Sequence, residues 1–95
     1  MNLNIEIDCP PGYTRPQHYF DNIAKRLQQS SDECVCNVGK RIEGLSPISA
    51  KFGSWNWIIN FDSENEKNTF TKVQQIFNSE LTKLYNSGAI RYASW

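Results

Sequence analysis

The sequence predicts an α+β domain in which a four-stranded antiparallel sheet carries two helices on one face. Two hydrophobic periodicities support this prediction. Apolar and polar residues alternate in residues 2–8 and 53–61, which is the pattern of half-buried strands. In residues 19–27 and 70–84, apolar residues instead recur every three or four positions, which is the pattern of amphipathic helices.

Residues 53–61 are predicted to form the strand around which the rest of the chain is organised. Trp55, Trp57, Ile59 and Phe61 share one face of this strand, and the residues between them are mostly polar. Burying four side chains of this size is worth roughly 1.5–3 kcal/mol each. We therefore expect this face to form the floor of the hydrophobic core.

A strand and a helix are predicted before it. The N-terminal strand places Leu3, Ile5 and Ile7 on one face, and the Pro-Pro pair that follows ends it. Thr14 and Gln17 have the spacing of a capping box, so the first helix is predicted to begin at Thr14. Its apolar stripe consists of Tyr19, Phe20, Ile23, Ala24 and Leu27.

The second strand is predicted at residues 33–42, with Cys34, Cys36 and Val38 on one face. Residues 44–52 contain Gly, Pro and two Ser and are predicted to form a loop. This loop is longer than a tight hairpin needs, which makes it a candidate functional loop.

A second capping box, Ser63 with Glu66, predicts the start of the second helix. Gly88 is the predicted C′ residue at its end, and residues 89–95 are predicted to form the last strand. The apolar stripe of this helix consists of Phe70, Val73, Phe77, Leu81 and Leu84.

The predicted order is therefore β-α-β-β-α-β in one domain, residues 1–95. In topology this resembles the ferredoxin-like fold across the whole chain. The resemblance implies an α+β sandwich with both helices on one sheet face. It restricts function little, because many unrelated functions use this fold.

Composition excludes several classes of protein. The 95 residues include ten basic and ten acidic ones, so the zero net charge argues against a general polyanion binder and against an acidic mimic of DNA. The sequence has no apolar run long enough for a membrane span and no secretory signal. With three cysteines, an odd number, it suggests free thiols and a cytoplasmic location, which is the host cytoplasm if the protein is phage-encoded.

The residue types that carry catalysis do not form a recognisable set, so no enzyme activity, cofactor or metal is expected. Cys34 and Cys36 would lie about 7 Å apart on a strand, which does not favour a disulfide. Together with Cys9 and His18 they lack the paired spacing of structural zinc sites. A Cys9–His18 nucleophile–base pair would have no orienting third group.

One alternative is a single-stranded nucleic-acid-binding module. The run from Trp55 to Trp57 resembles the aromatic-x-aromatic core of the RNA-recognition motif, and on a reversed strand both indoles would stack bases. The positions of Ile59 and Phe61, the lack of an aromatic residue in the first strand and the zero net charge all oppose this reading.

A second alternative is a metal-dependent nuclease centred on Asp8. In element order and in this carboxylate, the chain resembles the dimeric ferredoxin-like nucleases of CRISPR adaptation, and the resemblance implies a metal site at Asp8. The sequence departs from that pattern because Pro10 and Pro11 follow and no apolar run leads into the aspartate.

The leading hypothesis is a small non-enzymatic binding protein that inhibits or occludes a larger protein or ribonucleoprotein partner. Small proteins of this kind include phage anti-defence proteins, such as anti-CRISPR proteins, and toxin-immunity proteins. The predicted partner-binding residues are a basic group around the long loop and two aromatic residues: Lys40, Arg41, Lys51, Phe52 and Trp95. A homodimer through the open, Asn-rich sheet face is compatible with every one of these hypotheses.

Overall fold

The computed structural model describes residues 1–10, 15–51 and 54–94, with side chains up to residue 91. Its elements in chain order are β1 (Asn2–Asp8), α1 (Pro16–Leu27), α2 (Glu33–Ile42), β2 (Ser49–Lys51), β3 (Ser54–Asn60), α3 (Glu64–Lys67), α4 (Phe70–Asn86) and β4 (Tyr92–Ser94). The α+β class and the antiparallel sheet are confirmed.

Strands β2, β3 and β1 form a three-stranded antiparallel sheet in that spatial order. The three-residue β4 pairs with the end of β1 on its other side. In the central pair, Ile5 lies opposite Trp57 and Asn4 lies opposite Ile58. Residues opposite each other share a face, so this register separates an apolar face from an Asn-rich one, as predicted.

The core fills the space between the apolar sheet face and the helices. Trp57 is completely buried, and its ring stacks on Phe20 of α1 with centroids 4.5 Å apart and planes 8° apart. Its indole N–H donates to the Leu45 carbonyl oxygen at 3.0 Å. The helices contribute the predicted buried residues Phe20, Ile23, Ala24 and Leu27 from α1 and Val73, Phe77 and Leu81 from α4.

The prediction of a strand at residues 33–42 is wrong, because this segment is helix α2. The Asp32 side chain caps the helix by accepting from the backbone N–H groups of Cys34 at 2.9 Å and Val35 at 3.4 Å. Val35, Val38 and Ile42 follow at helical spacing, and all three are buried.

The ferredoxin-like β-α-β-β-α-β arrangement is therefore also wrong. Two helices separate β1 from β2, and the second strand, Ser49–Lys51, lies inside the segment predicted to be a loop. Helix α2 ends in a type II turn at Glu43 and Gly44, in which the Leu45 N–H donates to the Ile42 carbonyl at 2.9 Å. Gly44 has φ +79°, a backbone conformation that glycine adopts without strain.

The helix predicted after β3 has the expected ends but is interrupted. Ser63 Oγ accepts from the Glu66 N–H at 3.2 Å, and Gly88 (φ +81°) follows the last turn as predicted. The chain leaves the helix at residues 68 and 69, where the buried Thr69 donates its hydroxyl to the Glu66 carbonyl at 2.7 Å. This bond competes with a continuous helix, so α3 and α4 are separate.

Helix α1 begins differently from the prediction. Its N-cap is Arg15, which makes no side-chain capping bond, and Pro16 occupies the first helical position. The predicted capping residue Thr14 lies outside the described residues.

Helices α1 and α2 pack closely because Gly39 has no side chain. A Cβ atom at this position would lie 2.6 Å from the Ala24 carbonyl oxygen and 2.8 Å from Leu27 Cβ. The Gln28 side-chain amide spans the same contact and donates to the Gly39 carbonyl at 3.2 Å and to Glu43 Oε1 at 2.7 Å.

Gly39→Ala should destabilise the protein by about 1–3 kcal/mol, because the new methyl group overlaps a backbone carbonyl that cannot move without shifting α1. Helix propensity alone would have the opposite sign and stabilise by roughly 0.5–1 kcal/mol. The free energy of unfolding in urea measures the effect. Asn37→Ala, at an exposed position of the same helix, is the matched control. A Gly39→Ala protein as stable as the wild type would contradict this packing.

The Asp32–Lys72 ion pair, which joins the start of α2 to α4 at 2.7 Å, should make stability depend on pH. The Lys72 ammonium lowers the pKa of Asp32, and the Asp32 carboxylate raises the pKa of Lys72. Because the pKa of Asp32 is lower in the folded state, this carboxylate adds to the free energy of unfolding at pH values above its pKa in the unfolded state. The added stability is lost as pH falls through the pKa of the folded state. Because the pKa of Lys72 is higher in the folded state, the stability that this ammonium adds is lost only as pH rises through its pKa in the folded state.

The difference in free energy of unfolding between wild type and Lys72→Met should therefore be constant around neutral pH and shrink below about pH 4. Urea unfolding at several pH values measures it. Lys25→Met, an exposed position on α1, serves as the control, and its difference should not change over that range. A Lys72→Met difference that stays constant down to pH 2 would show that the ion pair contributes nothing.

Candidate binding groove

A groove runs along the outer side of the contact between α1 and α4. The two helices turn their most apolar stripes toward the sheet, where Phe20 meets Phe77 at a ring-centroid distance of 5.8 Å. Half-buried residues at the margins of these stripes and exposed polar residues beside them form the groove, with the buried Ile23 of α1 at its floor. The groove consists of two adjoining hollows of about 340 and 280 Å³.

The smaller hollow is mainly apolar. Its walls come from α1 and from the end of α4: Tyr19, Asn22, Ile23, Arg26, Glu80 and Leu84. Its lining is mainly apolar, so this hollow can take an apolar side chain of a ligand.

The larger hollow is polar and contains two cationic side chains. It lies between the end of α1, the turn into α2 and one face of α4, and is lined by Arg26, Ser30, Ser31, Ile76, Ser79, Glu80 and Lys83. Its lining includes three hydroxyl groups, a guanidinium and an ammonium, each of which can donate to a ligand oxygen, together with the Glu80 carboxylate.

An ion pair separates the two hollows. Arg26 Nε lies 3.4 Å from Glu80 Oε1, and Lys83 Nζ lies 3.9 Å from the same oxygen. Arg26 Nη1 also donates to Gln29 Oε1 at 3.3 Å. The Arg26 side chain is 56% exposed, and contacts of this length at a surface contribute little to stability. The guanidinium therefore keeps N–H donors with which it can bind a ligand.

The structure does not bring the predicted basic residues together. Lys40 is exposed near the end of α2. Its neighbour Arg41 donates to both carboxylate oxygens of Glu66, at 3.1 and 2.8 Å, and to the Asn60 carbonyl at 2.6 Å. Lys51 pairs with Ser54 at the other end of β3, six residues or about 20 Å of strand from Asn60. Phe52 and Trp95, the other two predicted partner-binding residues, lie outside the described residues.

Arg41 thus has a structural contact that the sequence did not indicate. Its bidentate ion pair ties α2 to α3 and to the end of β3. Its charge is already paired, so of the three basic residues Lys40 and Lys51 are the better placed to meet a partner.

The two central tryptophans face the helices and not the open sheet face. Trp57 is completely buried, and Trp55 is half-buried against the same core, 6.1 Å from Trp57 between ring centroids. The platform on which the nucleic-acid alternative depends is therefore not on the open face.

The carboxylates on the open sheet face are engaged with neighbours. Arg91 Nη2 donates to Asp8 Oδ1 at 2.9 Å, and Ser54 Oγ donates to Glu6 Oε2 at 2.9 Å. Among the described residues, no three His, Cys, Asp or Glu side chains come together as metal ligands. A metal-dependent nuclease would need a cluster of carboxylates at Asp8, but this aspartate is paired with Arg91.

The surroundings of Cys9 do not favour it as a nucleophile. Cys9 is buried, and burial together with the Asp8 carboxylate raises the pKa of its thiol, against the opposing effect of Arg91. A thiol that stays protonated at neutral pH is a poor nucleophile. Cys36 Sγ donates to the Gln28 carbonyl at 3.4 Å, and Cys34 lies in the same helix, α2, and not on a strand.

The sequence predicted the apolar residues of the groove only as parts of the apolar stripes of two helices, and it did not indicate the charged residues of the groove. Tyr19, Ile76 and Leu84 stand at the margins of the two apolar stripes, which was the available signal. Arg26 and Glu80 are far apart in sequence, and nothing in a single sequence pairs them.

No family model, curated protein or solved structure matches this chain. No helix in the described part of the chain is long and apolar enough to cross a membrane.

Proposed function

We propose that this protein is a non-enzymatic binding protein that occludes a larger protein partner by protein–protein contact. The observation that carries the proposal is the α1–α4 groove, in which an apolar hollow adjoins a charged, hydroxyl-lined one. A well-packed apolar centre with a polar rim is the usual anatomy of a protein interface.

The exposed hydrophobic side chains add to this support. Tyr85 follows Leu84 at the end of α4 and is 58% exposed, and Ile48 precedes β2 and is 63% exposed. Aromatic side chains on rigid elements are frequent anchors of protein interfaces. A partner that covered the groove would also reach the end of α4.

Phage anti-defence proteins, including anti-CRISPR proteins, and toxin-immunity proteins are classes to which small binding proteins of this kind belong. We assign the protein to this functional class, with either a protein or a ribonucleoprotein as the target. Occlusion requires only that the bound domain cover the working surface of its target, so it needs no catalytic group.

The test is capture of a partner from bacterial lysate by the tagged full-length chain, with and without nuclease treatment. We expect one protein to be retained in fixed stoichiometry after nuclease treatment, and the purified pair to form a complex in light scattering. Loss of every captured species on nuclease treatment would contradict the proposal and favour direct nucleic-acid binding.

The predicted loop surface can be tested on the same complex. Lys40→Glu with Lys51→Glu reverses two exposed charges on different elements and should weaken the complex if the surface around α2 and β2 contacts the partner. If the affinity for the partner is unchanged, that surface is not part of the interface, and the rest of the proposal stands.

A further inference from the structure

The two hollows of the groove differ in chemistry, so a ligand that fills both must itself have two parts. The smaller hollow offers Tyr19, Ile23 and Leu84 to an apolar group. The larger one offers the cations of Arg26 and Lys83. A free phosphate or another small anion would occupy only the second hollow.

The charge of the groove favours an acidic ligand. Arg26 and Lys83 share a single carboxylate, Glu80, which is 24% exposed and whose Oε1 lies 3.4 Å from Arg26 Nε and 3.9 Å from Lys83 Nζ. The described lining residues of the two hollows therefore carry one positive charge in excess. A ligand carboxylate would neutralise it, and the planar guanidinium can bind that carboxylate through two parallel N–H groups.

The spacing of the hollows fits an extended peptide. The residues of α1 that line the apolar hollow extend from Tyr19 to Arg26, which is about 10 Å along the helix. The polar hollow begins at Arg26 and continues past the end of α1. The two hollows adjoin and share Arg26 and Glu80, so they can take two side chains on the same side of an extended chain, which are two residues, or about 7 Å, apart.

We infer that the α1–α4 groove binds an extended acidic segment of a protein partner, in which an apolar side chain lies two residues from a carboxylate. This inference rests on the proposed function and specifies its binding surface and the chemistry of its partner. The apolar side chain fills the hollow at Ile23, and the carboxylate pairs with Arg26 and Lys83.

The test is selection of randomised ten-residue peptides, displayed on phage, against the folded full-length chain. We expect enrichment of Asp or Glu two positions from Leu, Ile or Phe. Enriched peptides should bind the Arg26→Glu variant about tenfold or more weakly, because the guanidinium becomes a repelling carboxylate. Lys25→Glu, a neighbouring α1 residue outside both hollows, should change binding by less than about twofold.

A second variant tests the cavity without a change of charge. Ser79→Trp places a large side chain in the polar hollow at an exposed helix position, where it does not disturb the core. It should weaken peptide binding by about fivefold or more while the thermal unfolding midpoint stays close to that of the wild type. No enrichment, enrichment without acidic residues, or full binding by either groove variant would each overturn the inference.

The failures of the inference and of the proposed function are distinguishable. A wild-type protein that captures a partner, which Arg26→Glu captures equally well, would overturn the groove inference alone. Acidic peptides that bind the groove while no protein partner is captured would overturn the proposed function and leave the groove site standing.

Discussion

The arrangement of the fold depends on the burial of one side chain, Trp57. Its indole ring stacks on Phe20 and so fixes α1 against β3, and its N–H donates to the carbonyl of Leu45, which follows α2. Gln17 donates to the same carbonyl at 3.1 Å. A buried indole N–H needs a partner, so this bond determines where the chain passes after α2.

The position of the groove follows from the same contact. Phe20 lies between Trp57 and Phe77, so the strand that carries the tryptophan also sets the approach of α4 to α1. The groove is the space along the outer side of the contact between α1 and α4. The side of the sheet that carries the large aromatics is therefore closed by the core, and the concave surface lies on the helices.

The sequence predicted those parts of the fold in which large apolar side chains repeat without ambiguity. Trp57 and Ile59 are two residues apart, so on a strand they share one face, and exposing that face would expose both side chains. The buried face of β3 was therefore predictable. The segment from Glu33 to Ile42 was not, because Val38 fits both a strand pattern with the cysteines and a helix pattern with Val35. The side chain of Asp32, which caps α2, decides between them.

The candidate site was less predictable than the fold, because its charges act through contacts between distant residues. Arg41 looked like a free surface cation, but it is paired with Glu66. Nothing in the sequence marks Arg26, whose ion pair with Glu80 lies between the two hollows of the groove. Burial shows itself as periodicity in a single sequence, whereas the pairing of surface charges leaves no such local pattern.

The most direct test of this account is hydrogen exchange at the Trp57 indole N–H, followed by NMR and assigned with a Trp57→Phe variant. Burial of Trp57 in the core predicts that this proton exchanges orders of magnitude more slowly than an unprotected indole, because only opening of the core exposes it. Exchange at the rate of a free indole would contradict it. That result would place the tryptophan in solvent and remove the basis for locating the binding surface on the helices.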